Sequence, residues 1–301
     1  MASDAYLAIV NPAAGGGKCG KQFPAALERL TSAGIAVDVV QTNAAGEATT
    51  FAREAWAEGR RRFIAVGGDG TGFEVVNGLF PAASKSGERP RLGFLPMGTG
   101  NSFLRDFTEQ GAEHSIAAIA LDRTRAIDVA RLHHKGGVMH WINILSIGFV
   151  ADVNGLRARR FKAWGELGYV AAVVTAVAGL TSRAFPLRCD AGERDDGPMV
   201  FASFNNSKFT GGKMMMAPHA DTGDGLIDYI RVGKLGRLGL LATFPKIFSG
   251  AHLKHPAVTE SKHRTIDFDV SDEIDVMIDG EAERVVPVAI DVLPGALDVC
   301  V

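Results

Sequence analysis

Phe63-Ile64-Ala65-Val66, then Gly67-Gly68-Asp69-Gly70-Thr71, then an apolar-periodic stretch from Phe73 to Phe80, is the segment that decides the fold. It reads as a strand, a glycine-rich loop and a helix. The same alternation extends to both sides. Upstream, Tyr6 to Val10 reads as a strand, broken by Asn11-Pro12 and Gly15-Gly16-Gly17-Lys18 and followed by helical spacing from Phe23 to Leu30. Ile35 to Val40 reads as a second strand and Ala48 to Glu58 as a second helix. Downstream, Leu92 to Leu95 reads as a fourth strand, ending in Pro96-Met97-Gly98-Thr99-Gly100-Asn101, with a helix expected after it. Strand alternating with helix implies a parallel sheet covered by helices.

The pattern changes near Ala126. Ile127 to Leu132, Met199 to Phe204, Ile227 to Val232, Thr265 to Val270 and Val285 to Val292 alternate in hydropathy and are separated by turn residues. That is the pattern of antiparallel sheet. Two helical stretches interrupt it, Trp164 to Leu180 and Leu238 to Phe248. The expected fold is therefore an N-terminal α/β nucleotide-binding domain over residues 1–129 and a β-rich, sandwich-like domain over 130–301. The last strand is left free to return to the first domain.

Composition sets outer bounds. The 301 residues are 47% hydrophobic and carry 32 Lys plus Arg against 34 Asp plus Glu. A net charge of −2 argues against a protein held to nucleic acid by bulk positive charge. Cys19, Cys189 and Cys300 form no CxxC pair, so neither a disulfide framework nor a cysteine zinc site is expected. No secretory signal precedes Tyr6, and the longest uncharged run, Leu167 to Ser182, is short of the roughly 20 residues a membrane span needs. The expectation is a cytoplasmic protein, peripheral to a membrane during turnover.

Three glycine-rich loops follow three strands, and in a parallel sheet such loops leave by one edge, where ligands bind. Glycine lets the backbone approach a phosphate, and each following helix adds a positive N-terminus. A strand-to-helix turn needs glycine for conformational reasons alone, but three loops, one carrying Asp69, favour a nucleotide site. The common fingerprints do not account for them. Lys18 is followed by Cys19 where a P-loop needs Ser or Thr. Gly15 to Gly20 matches GxGxxG in spacing, but the acidic residue that should end the second strand would be Asp38, inside that strand.

Taken in order, Asn11-Pro12 with Gly15-Gly16-Gly17-Lys18, Gly67 to Thr71 with Glu74 and Asn77-Gly78, Pro96 to Asn101, Gly211-Gly212-Lys213 to Ala217-Pro218, Asp224 to Asp228, and Asp279-Gly280-Glu281 resemble the diacylglycerol kinase catalytic-domain superfamily. That group includes sphingoid-base and ceramide kinases and bacterial soluble lipid kinases. NAD kinases share the Gly-Gly-Asp-Gly motif, but the Asn-Pro opening and the late Asp-Gly-Glu favour the lipid kinases.

The resemblance implies an ATP-dependent, magnesium-dependent lipid kinase acting in an inter-domain cleft. ATP would lie against Asn11, Pro12, Ala13, Ala14 and Gly15, against Gly68, Asp69, Gly70, Thr71, Gly72, Phe73 and Glu74, and near Thr42 and Thr99. Asp69 would be the essential acidic residue, Glu281 the proton acceptor, and Asp279 its partner, with both carboxylates of the Asp-Gly-Glu turn exposed. Asp221, Asp224 and Leu226 would hold a magnesium ion. The implied partners are ATP, a lipid acceptor such as diacylglycerol or a sphingoid base, and a transiently contacted membrane surface. A homodimer stays open and no nucleic acid is expected. A soluble acceptor, as in NAD kinase, and a non-catalytic nucleotide-binding regulator are the alternatives. Phe73 and Ser102 depart from the usual diacylglycerol kinase pattern and leave the acceptor lipid open. Leu156 to Trp164 mixes basic and aromatic residues and suits either a solvated turn or a headgroup contact. Met214 to Met216 suits core or an acyl-chain site.

Overall fold

The computed structural model describes residues 4–149, 151, 153, 175–177, 179–190 and 192–301. The Leu156 to Trp164 segment, and most of the helical stretch expected from Trp164 to Leu180, lie outside the described residues. The described chain forms two compact units. The first runs to Val129 and takes in Thr222–Asp224 and Leu293–Val301; the second runs from Ala130 to Asp221 and from Gly225 to Val292.

In the first unit β1 (Tyr6–Val10), α1 (Lys18–Ser32), β2 (Val37–Gln41), α2 (Glu47–Ala57), β3 (Arg62–Gly67), α3 (Asp69–Leu79), α4 (Ala82–Ser86), β4 (Arg91–Pro96) and α5 (Ala112–Ala120) alternate as expected. The strands lie in the order β2-β1-β3-β4, all parallel. β1 is buried along its whole length, as are Phe63–Gly67 of β3 and Leu92–Leu95 of β4, whereas edge strand β2 is largely exposed. One face packs Ala8, Val10, Ile64, Val66 and Leu95 against Phe23 and Leu30 of α1 and Ile116 and Ile119 of α5. β2 begins two residues later than expected because the Ile35 N–H is spent on Leu30 O, closing the end of α1. The helix expected after β4 is α5, and it does not start at the loop: Asn101 adopts a left-handed φ of 51° and a short 3-10 turn, Phe103–Asp106, comes first.

The second unit is antiparallel. β5 (Thr124–His134), which starts in the first unit, pairs with β6 (Gly137–Trp141). Then come β7 (Ile144–Gly148), β8 (Arg183–Ala184), β9 (Leu187–Cys189), β10 (Arg194–Asp195), β11 (Pro198–Met199), β12 (Phe201–Asn205), β13 (Phe209–Thr210), β14 (Met214–Met215), β15 (Ile227–Val232), α6 (Arg237–Thr243), β16 (Val258–His263), β17 (Thr265–Phe268), β18 (Ile274–Ile278), β19 (Glu281–Val285) and β20 (Pro287–Cys300). One sheet has the order β16-β15-β12-β7-β18-β19; β10-β9-β17-β20 form a second path. Met216 is buried with Ile144, Val200 and Phe201, so that methionine is core. β20 returns to the first unit: Asp298 and Val299 pair in parallel with Arg91 and Leu92 of β4. The fold class is thus an α/β unit with a parallel sheet and an antiparallel β-rich unit.

Candidate active site

The register of β1, β3 and β4 sets Val10 beside Val66 and Gly67 beside Pro96, so the three glycine loops leave the same edge. They are joined to one another through backbone. Gly67 O accepts the N–H of both Met97 and Gly98, at 2.8 Å each, and Asn11 N donates to Val66 O at 2.9 Å. A Cβ on Gly98 would stand 2.7 Å from Gly68 N, and one on Gly15, whose φ is 62°, would stand 2.7 Å from Met97 O. Real Cβ atoms do not approach that closely, so glycine at these two positions is demanded by loop-on-loop packing.

Within the first loop Asn11 Oδ1 accepts the Ala13 N–H at 3.1 Å and Asn11 O accepts Ala14 N–H, folding Asn11-Pro12-Ala13-Ala14 into a tight turn. Ala13 is exposed; Pro12 and Ala14 are half-buried. In the second loop Thr71 and Gly72 donate their N–H groups to Gly68 O, so α3 starts at Asp69 rather than at Phe73, and Gly70 lies in its first turn. Asp69 is tied to the third loop: Ser102 N–H lies 2.9 and 3.0 Å from its two carboxylate oxygens and Phe103 N–H 3.4 Å from Oδ1. Burial pushes the Asp69 carboxyl above the ordinary carboxylate range, and these backbone donors pull the other way. A pocket lined by Gly68, Asp69, Pro96, Asn101 and Phe103 lies at this junction. Thr99 is exposed.

Not every residue expected to face a nucleotide is free to do so. Both carboxylate oxygens of Glu74 are engaged by the start of α2, accepting Gly46 N–H at 2.9 Å and Ala48 N–H at 3.1 Å. An anion there satisfies orphan donors at the positive end of a helix. Thr42 is buried, with its N–H on Val10 O at 2.8 Å and its hydroxyl 3.4 Å from the same oxygen. Gly72 is buried against the Phe94 ring, and Phe73 is half-buried with its carbonyl accepting Asn77 Nδ2.

In the second unit, Asp279 and Gly280 join β18 to β19 with φ of 46° and 93°. Positive φ at both central residues is the two-residue hairpin that Asp-Gly favours. Glu281 opens β19 and is exposed. Asp279 is not exposed, contrary to expectation: its relative accessibility is 3%. Oδ1 accepts the N–H of Asn143 at 3.1 Å and of Ile144 at 2.9 Å, and Oδ2 that of Ile142 at 3.0 Å. The carboxylate is spent on the bend before β7. The same bend is gripped by the residues just after β12: Asn206 Nδ2 donates to Ile142 O at 2.9 Å, and Ser207 Oγ bonds Asn143 Oδ1. The hairpin carrying Glu281 therefore stands on a buried polar knot of Asn143, Asn206, Ser207 and Asp279.

Asp221 and Asp224 are exposed on the turn before β15, and Leu226 is half-buried. Among the described residues no three His, Cys, Asp or Glu side chains form a metal cluster. The turn offers two carboxylates and backbone carbonyls, an all-oxygen set of the kind a hard cation takes. Sequence reading passed over Asp128, which is buried in β5. Its N–H donates to Thr222 O at 2.6 Å and its Oδ1 accepts Gly295 N–H at 2.7 Å, so it ties both returning segments to the first unit. Its neighbours in the chain, Ile127 and Val129, are simply apolar, and nothing local marks it.

Comparison with known proteins agrees with this layout. Residues 5–132 match the diacylglycerol kinase catalytic domain, and residues 143–301 match the YegS C-terminal NAD kinase beta sandwich-like domain. A diacylglycerol kinase of Mycobacterium tuberculosis is 32% identical over 297 residues, covering 97% of this chain and 93% of the relative. One from Bacillus subtilis is 26% identical over 93% of this chain and 90% of its own length. A crystal structure of a candidate diacylglycerol kinase from Bacillus anthracis superposes with a TM-score of 0.78 at 26% identity, covering 99% of this chain and 95% of the other.

Proposed function

Because this chain belongs to the diacylglycerol kinase catalytic-domain family and is a lipid kinase, we propose that it moves the γ-phosphoryl group of ATP to a hydroxyl of a membrane lipid, with magnesium. The observation that supports this most is the backbone-locked trio of glycine loops on one sheet edge with Asp69 at their junction. Phosphoryl transfer asks little covalent chemistry of a protein; it asks for positioning and for neutralised charge. In this reading the backbone of Asn11 to Gly15 and of Gly68 to Thr71, with Thr99, seats the phosphates, while Thr42 braces the end of β1 and Glu74 ties α3 to the start of α2. Asp69, its orientation fixed by Ser102, orients the phosphates or the acceptor hydroxyl. Glu281 accepts the proton that the lipid hydroxyl releases. Asp279 is a positioning residue, holding the hairpin that presents Glu281.

Asp221 and Asp224, with the Leu226 carbonyl, would hold a magnesium ion, which when bound neutralises carboxylate charge and tightens the turn before β15. Diacylglycerol is the first acceptor to try, since the relatives above carry that name; Ser102 and Phe73 keep sphingoid bases in view. The working place is the cytoplasmic face of a membrane, reached without a spanning segment: among the described residues no helix is long and apolar enough to cross a bilayer.

ATP turnover measured with lipid vesicles, with NAD and with no acceptor separates the readings. Stimulation by vesicles is the expected result. Stimulation by NAD alone would support a soluble acceptor, and no turnover under any condition would support a nucleotide-binding regulator.

A further inference from the structure

Deepening the lipid-kinase reading above, and resting on it for its purpose, we propose that the stretch from Lys234 to Lys254 in the second unit is a docking surface for a bilayer bearing anionic headgroups. Leu238 is 83% exposed, Leu241 55%, Phe244 43% and Phe248 54%. Among the described residues, Leu121 is the one other exposed Leu or Phe. The spacing i, i+3, i+6, i+10 is that of one helical face. α6 carries the first two, and the 3-10 turn Phe244–Ser249 carries the others.

This is not a loose segment that happens to show apolar side chains. Its inner side is anchored: Leu235 and Ile247 pack on the cluster of Ile144, Val200, Phe201 and Met216, Thr243 is buried, and His252 Nε2 lies 3.0 Å from Met216 O. The stretch thus has an apolar inner face that finds a core and an apolar outer face that is exposed. Contiguous exposed apolar surface marks a place where something else binds.

Charge decides what that is. Between Asp228 and Glu260 the chain holds no Asp or Glu at all. Lys234, Arg237, Lys246 and Lys254 are all exposed around the apolar face. In a protein whose net charge is −2, this local excess of cations runs against the whole. Large apolar side chains interspersed with Lys and Arg, with no acidic residue in the stretch itself, are the composition of a segment that lies in the interface plane of an anionic membrane. A lipid kinase that has no spanning helix among its described residues needs such a surface to reach an acceptor whose chains stay in the bilayer.

The test is co-sedimentation of the full-length protein with phosphatidylcholine vesicles, without and with phosphatidylglycerol. The variants are L238S/L241S/F244S/F248S and, as a milder change at the most exposed position, Leu238→Asp. The wild type should bind the phosphatidylglycerol vesicles at least tenfold more tightly than the neutral ones. The four-serine variant should lose tenfold or more, Leu238→Asp most of that, and K234E/K246E/K254E the preference for anionic lipid. All should phosphorylate a water-soluble short-chain diacylglycerol at the wild-type rate. If no lipid is phosphorylated while vesicle binding still depends on these residues, the surface stands and the substrate reading falls. Wild type that ignores both vesicle types, folded variants that bind as the wild type does, or a wild-type dimer that the serine variant turns into monomer would each overturn the proposal.

Discussion

Asp279 should behave as an anchor rather than as a reacting carboxylate, and its substitutions rank in an order that the geometry fixes. Asp279→Ala orphans three buried backbone N–H groups, those of Ile142, Asn143 and Ile144. Each orphaned donor costs about 1–3 kcal/mol, so the expected loss is about 3–6 kcal/mol after partial relaxation. Asp279→Asn keeps an acceptor for Asn143 and Ile144, tolerates the left-handed φ of 46°, and loses only the bond to Ile142. It should cost about 2 kcal/mol. Asp279→Gly relieves the left-handed backbone, worth about 1 kcal/mol, but abandons the same three donors, so it should fall just short of alanine. For a unit of this size one kcal/mol moves the melting temperature by about 2–4 °C. Calorimetry should then show Asn about 6 °C below wild type and Ala and Gly well below that. Turnover should fall with the hairpin's order while the KM for ATP is unchanged. Asp279→Ala melting with the wild type would refute the anchoring.

Glu281→Gln should fold and bind ATP normally but lose about 10²–10⁴-fold in rate, the usual cost of a general base, read by steady-state kinetics on the lipid substrate. Gly98→Ala places a Cβ on the Gly68 backbone and should cost about 1–3 kcal/mol together with ATP affinity, seen by calorimetry. His140, buried in β6 beside Arg131 and His133, has its pKa pushed down to about 4. The folded state then binds the proton less well than the unfolded chain, so stability is full above about pH 6.5 and is lost as pH falls toward 4, about 3 kcal/mol in all. Denaturant melts of His140→Gln across that window should be flatter than those of the wild type. Magnesium should raise the melting temperature of the wild type over that in chelator, and Asp224→Ala should abolish the difference.

The parallel half was legible because its signals are local. Glycines end three apolar strands, and helical spacing follows each. What escaped was set by partners distant in sequence. β7 is buried along its whole length and shows no alternation to mark a half-exposed strand. β16 runs Val-Thr-Glu-Ser-Lys-His and carries little hydrophobic signal, yet it pairs with all of β15. The site divides the same way. Residue types and order marked Asp69, the three loops and the Asp-Gly-Glu hairpin. That Glu74 caps α2, that Asp279 is buried under the bend of residues 142–144, and that Asp128 grips Gly295 depends on contacts 26 to 167 residues apart in the chain. No local pattern records such contacts.

The central claim is tested most directly by incubating the protein with ATP labelled at the γ-phosphate and a total membrane lipid extract, then identifying the labelled product. The account predicts label on the hydroxyl of one lipid class, diacylglycerol first, dependent on magnesium and lost with Glu281→Gln. Label that stays in ATP or appears only as free phosphate, whatever lipid is supplied, would contradict it.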